Sequence, residues 1–228
     1  MIYLYATLNY IENKNIKDLV DVKGIFGKDI NILHQNSMLF VYSIIEKEIE
    51  KINIQNLLEH HTLIDFWLKN QYVHSLLPFQ IPTLFDRIES LKVFANQKKE
   101  HLEKQLHFFE NKVEYTLFID FERFINHFNF NKNIDIKDKK TKDFLEKKIN
   151  QPFYQINRFI TTLLKNIDKN IVLEYEVVDK KCIFLVDKKL SSLFEQQIQQ
   201  YLQNLNTTNI FQLSGFWAVH HFSKLYYG

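Results

Sequence analysis

The amino-acid sequence predicts an α+β protein of two domains, an N-terminal α+β domain over residues 1–82 and a second over 83–228. Three observations carry that reading. Apolar residues alternate with period two in several short runs, which marks strands, and recur every three or four positions in others, which marks helices. In the second half these runs follow the order β-α-β-β-α-β. Prolines are rare, only 3 in 228 residues, and two of them, Pro78 and Pro82, punctuate the chain between the halves.

The chain opens on a strand, with Ile2, Leu4, Ala6 and Leu8 on one face and Tyr3, Tyr5 and Thr7 on the other. A charged, Asn-rich stretch follows, with Gly24 and Gly27 as turn residues. Ile30–His34 and Met38–Ile45 read as a hairpin hinged at Gln35–Asn36–Ser37. Ile54–Lys69 is helical, its apolar stripe of Ile54, Leu57, Leu58, Ile64 and Leu68 broken by His61. Pro82 suits the first turn of a helix, so a long helix is expected from about Thr83 to Phe109. Its seam of Leu84, Ile88, Leu91, Ala95, Lys98, Leu102 and Phe109 is heptad-like, and ordinary packing is the simpler explanation.

Lys112–Asp120 is the next strand, followed by a polar loop to about Lys140. Thr141–Asp168 is helical with Pro152 interrupting it. Ile171–Val178 and Cys182–Asp187 form a hairpin, Leu190–Leu205 a helix, and Asn209–Ser214 a last strand. This is the order of a ferredoxin-like split βαβ domain, preceded by the long helix and followed by an aromatic C-terminal tail. The fold hosts unrelated activities, so the order says nothing about function.

Hydrophobic residues at 46% and charged residues at 25% place the chain among globular proteins. A net charge of +2, from 29 basic and 27 acidic residues, predicts no general attraction to nucleic acid or anionic membranes. One cysteine excludes an internal disulfide, and with no basic-then-apolar leader the expected location is the cytoplasm. Residues 196–223 carry no formal charge, but Gln and Asn fill them, so no membrane span is expected.

Chemistry is sparse. The histidine groups His60–His61, His101 with His107, and His220–His221 lack the three- or four-residue spacing of a helical metal pair, so no metal or other cofactor is expected. Cys182 starts an apolar run and reads as a core thiol. Asp120 and Glu122 are better explained by a strand running into a solvated loop than by an acid–base pair. In the basic tract Lys132–Lys148, four acids offset seven lysines. With only 4 glycines there is no phosphate cradle. No enzyme emerges. The segment from Ser214 to Phe222 is the most unusual: its aromatics must fold back over the core or present a partner-binding patch.

Several segments, in order, resemble the gas vesicle F/L family. Ile2 through Ala6 is similar to its opening strand, and Ile30 through Ser43 to its hairpin. His60 with Leu63, Ile64 and Asp65 is similar to its His-containing helix. Leu77-Pro78-Phe79-Gln80-Ile81-Pro82-Thr83-Leu84-Phe85 resembles its Leu-Pro-x-x-Phe-Gly-Thr motif, with Ile81–Pro82 in place of Phe-Gly. Lys112–Tyr115 and Phe184–Asp187 resemble two of its later strands. Gly215, Trp217 and Phe222 fall on its closing Gly-Pro-Trp-Pro-Pro-Tyr-Ser-Phe, with the prolines replaced by Phe216, Ala218 and Val219 and the tyrosine by His220.

The resemblance implies an accessory or minor structural protein of gas vesicle assembly, associated with the vesicle. Its partners would be the shell protein and other accessory proteins, with neither nucleic acid nor catalysis involved. The expected partner-binding residues are Leu77, Pro78, Thr83, Phe85, Gly215, Phe216, Trp217 and Phe222. The competing reading is a ferredoxin-like ligand- or RNA-binding module.

Overall fold

The computed structural model describes residues 1–10, 16–46, 52–70, 73–128 and 152–225. These form two antiparallel sheets with helices, in two compact units. One comprises Met1–Lys112 with Trp217–Gly228, the other Val113–Phe216. The division therefore falls at Lys112/Val113, not at Pro82, and the chain end belongs with the beginning. Helices that the sequence reading assigns to the second domain contact strands of the first sheet, which is why the boundary lies beyond them.

In the first unit, strands β1 (Ile2–Tyr10), β2 (Ile30–Gln35), β3 (Met38–Ile44) and β4 (Val73–Pro78) lie in the order β2-β3-β1-β4. The β2–β3 turn is Asn36–Ser37, with Asn36 at φ 59, a left-handed conformation that asparagine tolerates better than most residues. Strand β1 is central, and Ile2 through Leu8 are all buried. The face carrying Tyr3, Tyr5 and Thr7 is therefore as dry as the aliphatic one, and each hydroxyl finds a partner. Tyr3 Oη lies 2.9 Å from His60 Nδ1, Tyr5 donates to Ser43 Oγ at 3.0 Å, and Thr7 donates to Leu39 O at 3.2 Å.

Helix α1 (Lys17–Val20) is short, and α2 (Ile54–Lys69) starts where the sequence predicts. Asn53 caps α2, accepting from the amides of Gln55 and Asn56 while Asn56 reaches back to the Asn53 amide. Trp67 is fully buried and donates from Nε1 to Leu19 O at 2.9 Å. Its ring meets Tyr5 edge-on, and His60 lies against Tyr3 and Tyr5, so α2 covers the tyrosine face of β1. Gly24 lets the preceding loop close in: a Cβ there would stand 2.1 Å from Tyr5 Oη and 2.6 Å from Ser43 Oγ.

The expected helix from Thr83 to Phe109 is corrected in three places. Leu84–Phe85 is a short strand, β5, paired with Ile2 and Tyr3 of β1. Helix α3 spans Ile88–Gln97, and α4 spans Lys99–Phe108, with a break at Lys98. The apolar stripe Leu91, Ala95, Leu102, Leu106 and Phe109 is buried on both sides of the break. Lys98, its one charged member, sits exposed at the discontinuity, because an ammonium cannot be buried without a partner.

The second unit contains β6 (Lys112–Ile119), α5 (Phe121–Phe128), α6 (Pro152–Lys165), β7 (Val172–Val178), β8 (Lys181–Asp187), α7 (Ser191–Asn204) and β9 (Phe211–Trp217). The sheet order is β7-β8-β6-β9. Helix α5 replaces the front of the expected loop. Its signal was legible in the spacing of Phe121, Phe124 and Phe128, and Asp120 holds its first turn by accepting from the Arg123 amide. Positions 129–151, including the whole basic tract Lys132–Lys148 and the expected first part of the helix before Pro152, lie outside the described residues.

Phe124, Phe159 and Phe211 form the aromatic centre of this unit, with Phe159 and Phe211 stacked at 4.4 Å and Phe124 edge-on to both. Burying each such ring contributes about 1.5–3 kcal/mol. On β6, Tyr115 packs on Phe194 and donates to Glu195 Oε1 at 2.6 Å. Gly215 on β9 lies under that ring, where a Cβ would stand 1.9 Å from Tyr115 Cδ1.

Two predictions follow from the packing. Gly215→Ala should destabilise the protein by about 1–3 kcal/mol, read as a lowered urea midpoint, and Tyr115→Leu in that background should recover part of the loss. His60 is fully buried. Burial first, and then its neighbours His61 and His220, lowers its pKa from 6.5 to about 3. The unfolded chain therefore binds the extra proton between those values, so His60 withdraws stability as pH falls below about 6.5. Asp65, raised to about 6 by partial burial, acts oppositely, because the folded state holds its proton more tightly. His60→Phe should flatten the acid loss of stability measured by urea midpoints across this range.

Candidate functional site

A cleft in the first unit has its origin in how β4 leaves the sheet. Strand β4 pairs with β1 from Tyr10 to Ala6, ending at Pro78, and β5 takes up the same edge of β1 at Tyr3 and Ile2. Between them two backbone bonds tie the intervening chain to β1: Phe79 N donates to Tyr5 O at 2.9 Å, and Leu4 N donates to Thr83 O at 3.0 Å. Gln80, Ile81 and Pro82 bulge away between these ties, with a cis Ile81–Pro82 peptide. Thr83 closes the bulge by donating from Oγ1 to Gln80 O at 2.6 Å.

This bulge forms one wall of an open cleft of about 1100 Å3. The junction of α3 and α4 forms another, from Phe94 through Lys104. His61 of α2 and His220 of helix α8 (His220–Leu225) also line it. Phe94 is held in place by Phe79 at 5.9 Å and Phe85 at 5.3 Å. The rings of His61 and His220 meet edge-on at 5.0 Å. These two histidines come from separate groups in the sequence, so their meeting depends wholly on the chain end returning to the first unit.

The eight residues expected to bind a partner are distributed unevenly. Pro78 and Thr83 line the cleft, and Phe85 supports it from behind Phe94. Leu77 and Phe222 are core side chains, 0% and 1% exposed, and so are closed to a partner. Gly215 serves the packing of Tyr115. Phe216 is half-buried at φ 58, with Lys188 Nζ 5.9 Å from its ring. A proline is confined to φ near −65°, so the backbone here is closed to the proline of the family motif. Trp217 is 37% exposed, and after it Ala218, Val219 and Phe222 are buried again. The tail thus folds back while keeping one large aromatic at the surface.

Sequence reasoning missed His61, His101, His220 and the lysines of the α3–α4 junction as cleft residues. Only Lys98, the one charge in the apolar seam, hinted at them. Among the described residues no group of three or more His, Cys, Asp or Glu could hold a metal ion. Cys182 is buried, and burial pushes its thiol well above the usual range, so it is a poor nucleophile. Among the described residues no helix is long and apolar enough to cross a membrane.

Comparison with known proteins bears out the family resemblance. Among curated proteins none matches the sequence. The crystal structure of gas vesicle protein GvpF from Microcystis aeruginosa superposes with a TM-score of 0.71 at 14% identity, covering 97% of this chain and 98% of that one. The crystal structure of GvpF from Anabaena sp. PCC7120 gives 0.70 at 17% identity, covering 97% and 95%. At such identities the likeness is one of fold. The profile of the gas vesicle synthesis protein GvpL/GvpF family matches residues 1–224, and the chain therefore belongs to that family.

Proposed function

We propose that this protein acts in the cytoplasm, at the forming gas vesicle, as a non-enzymatic accessory or minor structural component. It binds the shell protein and other accessory proteins through protein–protein contacts. The observation that carries this reading is the family match over residues 1–224. The physical need is that a wall excluding liquid water requires subunits with large apolar faces, and such faces aggregate unless they are held before assembly.

The strand order β7-β8-β6-β9 supports reading the second unit as a ferredoxin-like module, in which the first and third strands are central. The contact surfaces are the rim of the cleft at Thr83, beside the buried Pro78 that shapes it, and the exposed aromatic Trp217. Large aromatics at a surface dominate many protein interfaces, because they bury much area at little entropic cost.

Deleting the gene in a vesicle-forming host that has no paralogue should abolish or strongly reduce flotation, and normal flotation overturns the proposal. Trp217→Ala should reduce copurification of shell or accessory proteins about tenfold while leaving the fold intact, and Trp217→Phe should largely preserve it. Unchanged copurification removes Trp217 from the interface.

A further inference from the structure

The whole chain is nearly neutral, with 29 basic and 27 acidic residues, yet the charge lining the cleft is one-sided. Lys98, Lys99 and Lys104 face it with Glu100 as the single carboxylate, which leaves two positive charges in excess. Glu103, the next acid on α4, is not part of the lining and accepts from Ser37 Oγ at 2.6 Å. His61, His101 and His220 add ring nitrogens to the same walls. Phe79, Ile81 and Phe94 add apolar surface to the same lining.

From this geometry we infer that the cleft is the docking site for a short acidic segment of a partner protein, with its carboxylates on the lysines and an apolar side chain on Phe94. A small anion is less well matched. At about 1100 Å3 the cleft exceeds the usual small-molecule pocket of about 300–1000 Å3 and is too open to enclose such a ligand. No glycine lines it, so no run of backbone amides closes on a phosphate. An extended peptide, by contrast, uses an open trough, spreads its charges over lysines on successive turns of the α3–α4 junction, and has an apolar anchor to place. The exposed lysines also make the attraction long-ranged and salt-sensitive.

This inference rests on the assembly reading only for the biological role of the partner. The test uses the full chain and a short fluorescein-labelled peptide of glutamates with one central phenylalanine, followed by fluorescence anisotropy. The control peptide carries lysine in place of glutamate. The acidic peptide should bind at least about tenfold tighter than the control, and its affinity should fall as salt is raised. Lys98→Glu, Lys99→Glu and Lys104→Glu combined should lose that binding with an unchanged melting curve, while the three Lys→Arg changes should keep it.

Equal binding of both peptides, or acidic-peptide binding untouched by the folded triple Glu variant, overturns the inference. So does displacement of the peptide by ATP at equimolar amounts, which would mark a small-anion site. Loss of flotation on gene deletion without any peptide binding sinks the cleft and leaves the assembly reading standing. Peptide binding with normal flotation does the reverse.

Discussion

The first unit is organised around a single constraint: strand β1 must be paired on both edges and covered on both faces. Its inner edge is satisfied by β3, and its outer edge is shared between β4 and β5. A buried strand with a tyrosine face must also satisfy every phenol, since an unpaired hydroxyl in a dry interior costs more than a hydrogen bond returns. The chain solves this by bringing His60, Ser43 and the Ile25 amide to Tyr3 and Tyr5. Those partners lie on a helix, a strand and a loop, so one row of hydroxyls ties three separate elements together.

The shared outer edge has a second consequence. Two strands occupy one edge of β1 in succession, and the residues between them cannot lie in the sheet. They must bulge, and the bulge is the wall of the cleft. The Leu-Pro-x-x motif at Leu77–Gln80 is therefore a point of departure from a ladder. Pro78 ends the regular pairing with a residue that has no N–H to offer, and Leu77 anchors the strand just before it.

The C-terminal segment joins core to surface over very few residues. Gly215 passes beneath Tyr115, Phe216 turns the backbone into the left-handed region, Trp217 stays partly in water, and Val219 and Phe222 return to the interior. In this chain the segment takes a turn at Phe216 that proline cannot adopt and ends in a short helix packed on β4.

The local elements were legible because each carries its own period: the alternation of β1, the Asn36–Ser37 hairpin and the span of α2 need no distant partner to be recognised. The stripe expected on α2 was not its core face, since Ile54, Leu57 and Leu58 are exposed and Asn56, His60, Leu63, Ile64, Trp67 and Leu68 are buried. The family resemblance was legible for the same reason, as a row of local motifs in order. The unit boundary, the break at Lys98 and the meeting of His61 with His220 were not, because they depend on which faces pack together. Periodicity states that a face is apolar without naming what will cover it. Sequence alone thus determined seven of the nine strands among the described residues, the longer helices α2 and α7 and the family, whose signals are short-range. It did not determine β4 and β5, which a proline-punctuated run and a helical period concealed. Only tertiary structure decided that Leu77 and Phe222 are core, that the tail returns to the first unit, and that three lysines share one cleft, since burial and charge proximity arise from contacts between residues far apart along the chain.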